Sequence, residues 1–421
     1  MEPEKVIVES MSYGPAAVAR SGGCVLFVDS AAPGDVALVR RISGRKRYAD
    51  AEIVELLDPS PARVTPPCPH FTECGGCQWM HLGHRAQLAW KRNAFLQSLR
   101  RIGRVEPEEC SVAEGPALGY RWRSRMSARR WDGRNRVGFN AYRSHRFVPI
   151  EACLQMAEPL SRALAVTGAA LAALPEEPSL HQIELTASPI TGEWFCLLHA
   201  RARHKGKVDA LLSALKGAPG LLWAGWAPER TEQRLCYEVA GLRLGFGPYS
   251  FIQGNAIANE RLVQEAVSML GDSPGVVCDL YCGIGNFTLP LAAKAGEVVG
   301  VESNPLAVAD AESNAQALGA ANVRFVRDDA GTAAERFASE GERFDAVVLD
   351  PPRVGCSEVI GPLCRLRPER IIYVSCEPPT FARDAGGLVR GGYKLRRSIV
   401  VDMFPQTFRI ESASLFTLEA R

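Results

Sequence analysis

The stretch VVCDLYCGIGNFTLPLAA, residues 276–293, reads as a buried strand, a glycine turn and a helix. Four more apolar runs follow it with helical stretches between them: EVVGVES, NVRFVRD, FDAVVLD and RIIYVSC. Apolar strands that alternate with helices are typical of a parallel sheet covered on both faces. Residues 249–421 are therefore predicted to form a C-terminal α/β domain with a Rossmann-like sheet.

The glycine turn is a candidate ligand site, because its two glycines let the backbone bend tightly and approach a bound molecule. Glu302 ends the next strand, where an acid holds ribose hydroxyls. Asp329 ends the strand after that and suits an adenine amine, with Asp328 as its rival. The third glycine of a dinucleotide-binding turn is missing after Asn286 and Phe287, which favours S-adenosylmethionine over NAD.

Two polar residues at neighbouring strand ends are candidates for the reacting groups. In FDAVVLDPPRVG (344–355), a rigid Pro-Pro pair holds Asp350 over the crevice where such sheets bind ligands. This segment resembles the Asp-Pro-Pro-Tyr motif of base amino-methyltransferases, with Arg353 in place of the aromatic residue. Cys376 follows the next strand, RIIYVS, at the same edge of the sheet. A nucleophile is favoured there, and a buried packing cysteine is the alternative.

A thiolate beside a methyl donor suggests methylation at carbon 5 of a pyrimidine. That carbon is too weak a nucleophile until a thiolate adds to carbon 6 and creates an enolate. A base must then remove the proton from carbon 5 so that the thiol can leave. Glu411, in VDMFPQTFRIESASLF (401–416), is the candidate base.

The segment YRWRSRMSARRWDGRNRVGFNAYRSHR (120–146) concentrates positive charge in a chain whose formal net charge is only +2. It holds nine arginines, no lysine and one acid, Asp132, with five aromatic residues interleaved. Arginine pairs with phosphate through a planar fork and stacks on bases. The segment is therefore predicted to contact RNA, against the alternative of an exposed hairpin with solvated arginines.

The N-terminal half is predicted to contain two further domains. Residues 1–60 show short strand-like runs separated by glycine turns, the pattern of a small β-barrel. A proline-rich stretch then begins an α+β central domain, residues 61–248. Within it, residues 84–103 read as an amphipathic helix that Gly103 ends, and residues 118–245 as strands with one Ala-rich helix.

Cys68, Cys74 and Cys77, in CPHFTECGGC, are spaced closely enough to share a metal. Thirteen cysteines, an odd number, on a long chain with no recognisable signal peptide argue against a disulfide framework. A single Cys-x-x-Cys pair favours an iron–sulfur cluster over zinc, which stays open as an alternative. No apolar run reaches the ~20 residues of a membrane helix. We expect a cytoplasmic protein, not bound to membranes and monomeric by default.

Six segments resemble, in order, the motifs of the RNA uracil-5 methyltransferases, and most of all the branch that methylates large-subunit ribosomal RNA. They are CPHFTECGGC, SFIQGNAIANE, DLYCGIGNFTLPLA, LDPPRVG, YVSCEPPTFARD and DMFPQTFRIES. Residues 1–60 also resemble the TRAM domain, an OB-like RNA-binding barrel. The resemblance covers nearly the whole chain and implies a class I methyltransferase that modifies carbon 5 of a uridine, in 23S ribosomal RNA.

The resemblance also implies roles for particular residues. Cys376 would be the nucleophile and Glu411 the general base. The residues that would contact S-adenosylmethionine are Gln253, Tyr281, Asn286, Glu302, Asp329 and, near both donor and target, Asp350. A [4Fe–4S] cluster would be held by Cys68, Cys74, Cys77 and Cys153. The helix 84–103 would pack toward the catalytic domain.

Two residues depart from the family pattern. Glu377 follows Cys376 where the family usually has Asn or Asp, and Arg409 replaces the usual His two residues before Glu411. Neither change removes a reacting group. Three alternatives stay open: the same chemistry on transfer RNA, a base amino-methyltransferase that does not need Cys376, and an iron–sulfur RNA-binding assembly factor without catalysis.

Overall fold

The computed structural model describes residues 2–45, 47–175, 180–200, 205–227, 229, 231–272 and 274–419. The chain divides into two compact units, each discontinuous in sequence. Unit 1 comprises Met1–Gln97, Phe139–Val148 and Phe404–Ile410, and unit 2 comprises Ser98–Gly138, Pro149–Met403 and Glu411–Arg421. In the residues so described, no helix is both long and apolar enough to span a bilayer.

Unit 1 is built on a closed barrel of five strands in the order β1-β2-β3-β5-β4. Side chains alternate between the barrel interior and solvent, as the buried Val6, Val8, Leu26 and Val28 show. The predicted small barrel is confirmed, although its second strand had no clear sequence signal. The strands are β1 (Glu4–Met11), β2 (Ala17–Ser21), β3 (Cys24–Val28), β4 (Val36–Arg45) and β5 (Tyr48–Asp58).

The predicted helix over residues 84–103 is observed in two parts. An α-helix, α1 (His84–Ser98), passes directly into a π-helical turn, Leu99–Gly103, and Arg104 ends it in the left-handed conformation with φ 54°. Within unit 2 this last turn packs closely against the helix α9 (Pro378–Arg390). A side chain on Gly103 would place its Cβ 2.3 Å from the carbonyl oxygen of Ala382, so only glycine permits this approach.

A six-stranded sheet occupies the middle of the chain, in the order β12-β11-β10-β7-β8-β9. The structure has two helices beside these strands where the sequence indicated one. Only the Ala-rich helix carries a clear pattern, whereas the other is short. The elements are β7 (Arg123–Trp131), β8 (Arg134–Asn140), β9 (Phe147–Pro149), α2 (Glu158–Ala172), β10 (Leu180–Ala187), β11 (Trp194–Ala200), α3 (Lys205–Leu215) and β12 (Leu221–Trp226).

Unit 2 contains an eight-stranded sheet, in the order β17-β16-β15-β18-β19-β21-β20-β6. The five predicted parallel strands are confirmed as β15 to β19, so the Rossmann-like prediction holds. The sequence did not reveal that β6, from the N-terminal half, pairs in parallel with β20 at the edge. The strands are β6 (Glu109–Ala113), β15 (Val276–Leu280), β16 (Glu297–Glu302), β17 (Val323–Arg327), β18 (Ala346–Leu349), β19 (Arg370–Ser375), β20 (Tyr393–Val401) and β21 (Glu411–Leu418).

The strand order reverses next to β15, which has β16 on one side and β18 on the other. Ligands of open α/β sheets bind in the crevice at the carboxyl ends of the strands beside such a reversal. The crevice in unit 2 therefore lies above β15 and β18. The remaining elements of unit 2 are the hairpin β13 (Leu235–Val239) and β14 (Leu242–Phe246), and the helices α4 (Ala256–Met269), α5 (Thr288–Ala292), α6 (Pro305–Leu318), α7 (Ala330–Glu340) and α8 (Ser357–Leu366).

Candidate active site

Cys376 directly follows β19, and Glu411 is the first residue of β21, the antiparallel neighbour of β19. The last printed pair of this ladder joins Ser375 to Ser412. Continuing the register by one residue beyond the end of β19 would set Cys376 opposite Glu411. Directly opposite residues of an antiparallel pair have Cβ atoms about 4.5–5.5 Å apart and point to the same face. The backbone register therefore brings the predicted nucleophile and the predicted base to adjoining strand ends.

The environment of Cys376 keeps its side chain a thiol in the ligand-free protein. Burial, and then the neighbouring carboxyl groups of Glu411 and Asp350, raise the pKa of Cys376 to about 12. The guanidinium of Arg353 acts in the opposite direction, and Glu377 adds a small further increase. A thiol in this state needs a neighbouring base to accept its proton before it can attack.

Two carboxyl groups act on that thiol, the buried Glu411 and the half-buried Asp350. Glu411 is 1% exposed, and burial, together with the charge of Asp350, raises its pKa well above the ordinary value. Its Oε1 has no hydrogen-bond partner among the described residues. Burial also raises the pKa of Asp350, at the end of β18, to about 7. A carboxyl group with a pKa near 7, such as that of Asp350, can accept and return a proton near neutral pH.

The glycine turn after β15 adopts the tight conformation that the sequence predicts. Tyr281, Gly283 and Gly285 have φ values of 67°, 56° and 91°. The N–H of Gly283 donates to the Glu302 carboxylate at 3.1 Å, and the N–H of Asn304 donates to the same group at 2.8 Å. Glu302 is thus fixed at the end of β16, facing the turn, where a ribose would lie.

Asn286 is fully engaged with neighbouring side chains. Its amide exchanges two hydrogen bonds with Asn259, at 2.9 and 3.0 Å, and its Oδ1 also accepts from the Tyr237 hydroxyl at 2.8 Å. These contacts fix the glycine turn against α4 and β13. Asn259 lies in the quoted SFIQGNAIANE segment, but Tyr237 carried no signal in the sequence.

Tyr281 and Asp329, two other predicted donor-binding residues, follow the strands β15 and β17 at the same edge of the sheet. Asp329 caps α7 by accepting from the N–H of Thr332 at 3.1 Å, while its rival Asp328 lies 3.6 Å from Arg336. The hydroxyl of Tyr281 donates to Glu358 at 2.9 Å. Gln253, half-buried, precedes the first residue of α4 by three positions.

The residue beneath the glycine turn, Asp279, is completely buried at the end of β15. The Thr288 hydroxyl donates to its Oδ2 at 2.6 Å, and burial raises the pKa of Asp279 to about 7. Its Oδ1 has no hydrogen-bond partner in the described part of the chain. Asp279 therefore offers a buried acceptor at the base of the crevice.

The three clustered cysteines lie in unit 1 on a loop of consecutive turns, and all are half-buried. The N–H of Cys74 donates to the carbonyl of His70 at 2.8 Å, and the N–H of Gly76 points at the Cys74 sulfur from 3.4 Å. Cys153 is half-buried in unit 2, between β9 and α2. Within the described ranges, no three His, Cys, Asp or Glu side chains are arranged to hold a metal ion.

The arginine-rich segment forms the β7–β8 hairpin, and part of its charge is neutralised inside the protein. Arg123 and Arg125 both pair with Glu184, which is 2% exposed. Although burial opposes the effect, His199 and these two arginines lower the pKa of Glu184 to about 2. These two arginines therefore hold β7 to β10, so the hairpin offers RNA less charge than the sequence suggested.

The tip of the same hairpin faces solvent. Trp131 pairs with Arg134 across the turn, and Trp131 is 45% exposed. Asp132 and Gly133, the two turn residues, have φ values of 48° and 72°, as a tight two-residue hairpin requires. The tip thus presents an aromatic ring and a guanidinium side by side.

The chain matches the profile of the family described as tRNA (Uracil-5-)-methyltransferase over residues 242–419. Two relatives match over almost their full lengths. A 23S rRNA (uracil(1939)-C(5))-methyltransferase from Aeromonas salmonicida is 38% identical over 99% of this chain and 97% of that protein. An enzyme with the same name from Pseudomonas entomophila is 36% identical over 98% of this chain and 93% of that protein.

One solved structure has the same fold over nearly the whole chain. It is the Pyrococcus abyssi tRNA (uracil-54, C5)-methyltransferase in complex with S-adenosyl-L-homocysteine. The TM-score is 0.72, with 22% sequence identity, and the match covers 98% of this chain and 100% of that one. At this identity the likeness concerns the fold.

Proposed function

Because this chain belongs to the RNA uracil-5 methyltransferases, we propose that it transfers a methyl group from S-adenosylmethionine to carbon 5 of one uridine in 23S ribosomal RNA. The names of the relatives indicate the uridine equivalent to position 1939. The base amino-methyltransferase and the non-catalytic assembly factor are disfavoured, because neither requires a cysteine and a buried acid at the adjoining ends of one strand pair.

The observation that supports the proposal most strongly is that Cys376 and Glu411 lie at the adjoining ends of β19 and β21 and interact electrostatically. A cysteine at a sheet edge alone is often a packing residue. Here the cysteine adjoins an acid whose Oε1 lacks a hydrogen-bond partner among the described residues. Leaving such a group unpaired costs about 1–3 kcal/mol, which is expected where an incoming substrate completes the site.

The reaction would proceed in two stages. The Cys376 thiol gives its proton to a neighbouring carboxylate, and its sulfur adds to carbon 6 of the uracil. Carbon 5 of the resulting enolate then attacks the methyl group of the sulfonium, and S-adenosylhomocysteine leaves. Glu411 removes the proton from carbon 5, the double bond re-forms, and the sulfur of Cys376 departs.

Glu411 must be ionised when it removes that proton. Burial favours its neutral form, so the carboxylate is a stronger base than an exposed glutamate. Asp350 lies near both groups and would hydrogen-bond the imide edge of the uracil. Because burial raises its pKa to about 7, it can donate a proton to a uracil oxygen or accept one from the imide.

S-adenosylmethionine would bind over the glycine turn. Glu302 would hold the ribose hydroxyls and Asp329 the adenine amine. Gln253, Tyr281 and Asn286 would surround the donor, and the hydrogen bonds of Asn286 to Asn259 suggest that it acts by shaping the turn.

The RNA would contact the barrel of residues 1–60, which we assign to the TRAM class, and the hairpin tip at Trp131 and Arg134. Aromatic side chains and arginines are the groups that stack on single-stranded bases. Since the reacting groups line a crevice, the target uridine must leave its stack to reach them. An RNA substrate of this kind places the enzyme in the cytoplasm, and we expect it to act as a monomer.

We further propose that Cys68, Cys74, Cys77 and Cys153 hold a [4Fe–4S] cluster. Four thiolates suit such a cluster, and the N–H of Gly76 directed at the Cys74 sulfur would stabilise a metal-bound thiolate. The cluster would fix the cysteine-rich loop, and with it the RNA-binding surface. On this proposal the chain has three parts: the barrel in residues 1–60, the cluster-bearing part in residues 61–248 and the catalytic part in residues 249–421.

The proposal can be tested by mapping 5-methyluridine in ribosomal and transfer RNA from cells with and without this gene, using mass spectrometry. Loss at one 23S uridine, restored by the wild-type gene and not by Cys376→Ala, is the expected result. Loss in transfer RNA instead would overturn the substrate, and no loss in either RNA would overturn the reaction.

A further inference from the structure

Asp384, on α9, is a buried carboxylate that holds the loop after β18, residues 350–356. It is 2% exposed. Its Oδ2 accepts from the backbone N–H of Cys356 at 2.9 Å and from the Tyr373 hydroxyl at 2.8 Å. Its Oδ1 accepts from Nε of Arg383 at 2.8 Å. A carboxylate with three donors fixes the position of each of them.

Two other side chains on the same face of α9 hold the loop two and three residues before Cys356. The hydroxyl of Thr380 donates to the carbonyl of Arg353 at 3.0 Å. Nη2 of Arg383 donates to the carbonyl of Val354 at 2.9 Å. Residues three and four positions apart lie on one face of a helix, so Thr380, Arg383 and Asp384 act as one surface.

Gly355 shows how closely the loop approaches this surface. It has φ +77°, a conformation that favours glycine. A Cβ at this position would lie 2.5 Å from Oδ2 of Asp384 and 2.6 Å from Nη2 of Arg383. The loop therefore fits against α9 only because residue 355 has no side chain.

The held part of the loop carries Arg353, whose charge opposes the rise in the pKa of both Cys376 and Glu411. The other end of the loop is fixed separately. The N–H of Asp350 lies 3.4 Å from the carbonyl of Leu280 on β15, and two prolines separate Asp350 from Arg353. Loosening the contacts with α9 would thus free Arg353 more than Asp350.

We infer that Asp384, together with Thr380 and Arg383, is a positioning residue for the reaction, because these side chains hold the loop that carries Arg353, whose charge acts on Cys376 and Glu411. The inference deepens the proposed function and rests on it for the identity of the reaction. Asp384 itself does not touch the reacting atoms; it acts through the backbone of residues 353–356.

The test measures the reactivity of Cys376 without RNA. The full-length protein is treated with iodoacetamide at pH 8, and alkylation of the peptide that contains Cys376 is followed by mass spectrometry. Asp384→Asn is expected to slow alkylation of Cys376 about 3- to 10-fold, because weaker positive charge lowers the thiolate fraction by half a pKa unit to one unit. Thr380→Val, of nearly the same shape, is expected to slow it by a smaller factor.

The matched control is Asp35→Asn in the barrel. Asp35 is also a buried carboxylate, bound to the backbone N–H groups of Ala32 and Ser60 and to Arg63. Its substitution is expected to leave alkylation of Cys376 unchanged. Unchanged alkylation in folded Asp384→Asn and Thr380→Val, or equal slowing in Asp35→Asn, would overturn the inference.

Methylation kinetics separate this inference from the proposed function. Asp384→Asn is expected to lower kcat about 10-fold or more while KM for S-adenosylmethionine stays within about 2-fold, because the loop does not include the glycine turn. A rise in KM for S-adenosylmethionine as large as the fall in kcat would indicate a general loss of structure. It would contradict a positioning role for Asp384. Failure of the wild-type protein to methylate RNA would instead refute the proposed function. The alkylation result does not depend on that outcome.

Discussion

The carboxyl edge of the eight-stranded sheet and the cysteine-rich loop 68–77 both carry cysteines with proposed functions, but the surroundings of these cysteines differ. At the sheet edge, the pairing of β19 with β21 brings Cys376, which follows β19, and Glu411, which begins β21, to adjoining strand ends. In the loop, Cys68, Cys74 and Cys77 are half-buried, and the described residues hold no group of three metal-ligating side chains.

The two regions differ in what brings their side chains together. Hydrogen bonds along two strands determine which residues face each other, whatever is bound. A cluster site forms together with its metal, because thiolates repel one another until the metal neutralises them. The catalytic pair is thus determined by register, whereas the proposed cluster ligands require the cluster.

The largest expected effect concerns the nucleophile. Cys376→Ala should lower methylation by more than about 10³-fold and abolish RNA–protein adducts, because no other thiol replaces the sulfur that attacks carbon 6. Methyl transfer from labelled S-adenosylmethionine to 23S RNA measures this. Cys364→Ala, which removes a half-buried thiol from α8, is the matched control and should retain activity. Methylation by Cys376→Ala would show that Cys376 is not the nucleophile, and that the register of β19 and β21 does not identify the reacting residues.

The next effect concerns the loop. Purified under anaerobic conditions, the protein should contain about four iron atoms per chain, and Cys74→Ser should lose most of them. Iron analysis and visible absorbance measure this, with Cys110→Ser as the control. Binding of RNA should weaken, since the loop would lose its fixed conformation. Stoichiometric zinc, or full iron in Cys74→Ser, would refute the assignment of these cysteines to an iron–sulfur cluster.

The third effect concerns the stability that the folded protein loses because it places Asp350 in the crevice. The folded-state pKa of Asp350 is raised from 3.8 to about 7, so its neutral form is favoured and the folded protein loses stability as pH rises through about 7. Because the residue is partly exposed, Asp350→Asn should raise the free energy of unfolding at pH 8 by about 2 kcal/mol, less than the full shift implies. Below pH 4 the difference should vanish. Urea unfolding at both pH values measures it, and a gain that persists at low pH would contradict an electrostatic origin.

The smallest effect concerns the hairpin tip. Trp131→Ala should weaken RNA binding about 5- to 50-fold, as loss of one stacked base predicts, and leave kcat nearly unchanged. Arg125→Ala is the comparison, because that arginine pairs with Glu184 and should affect stability more than RNA affinity. Fluorescence anisotropy with a 23S fragment distinguishes them. Equal losses of affinity would mean that internal pairing does not remove Arg125 from RNA binding.

Much of the catalytic unit could be predicted because its strands are long apolar runs that end in polar residues. The five parallel strands, the glycine turn and the positions of Asp350 and Cys376 all followed from that pattern. The pairing of β6 with β20 could not be predicted, since it depends on a partner nearly 300 positions away. Tyr237 and Asp384 were missed for a similar reason: their roles arise from hydrogen bonds that only the folded chain shows.

For the arginine-rich segment, the sequence suggested more than the structure provides. Its nine arginines suggested a surface wholly available to RNA, but the buried carboxylate of Glu184 engages two of them. Nothing near these arginines in sequence marks that pairing, because Glu184 lies on a strand about 60 residues away. Charge counts therefore overstate the available surface when acids lie on neighbouring strands.

The most direct test that Cys376 is the nucleophile and Glu411 the base is to trap the reaction with Glu411→Gln. The variant is incubated with a 23S RNA fragment and S-adenosylmethionine, digested with nuclease and protease, and analysed by mass spectrometry. We predict an adduct that joins Cys376 to a methylated uridine, because glutamine cannot remove the proton from carbon 5. Free 5-methyluridine formed at the wild-type rate, or an adduct at another cysteine, would contradict the account.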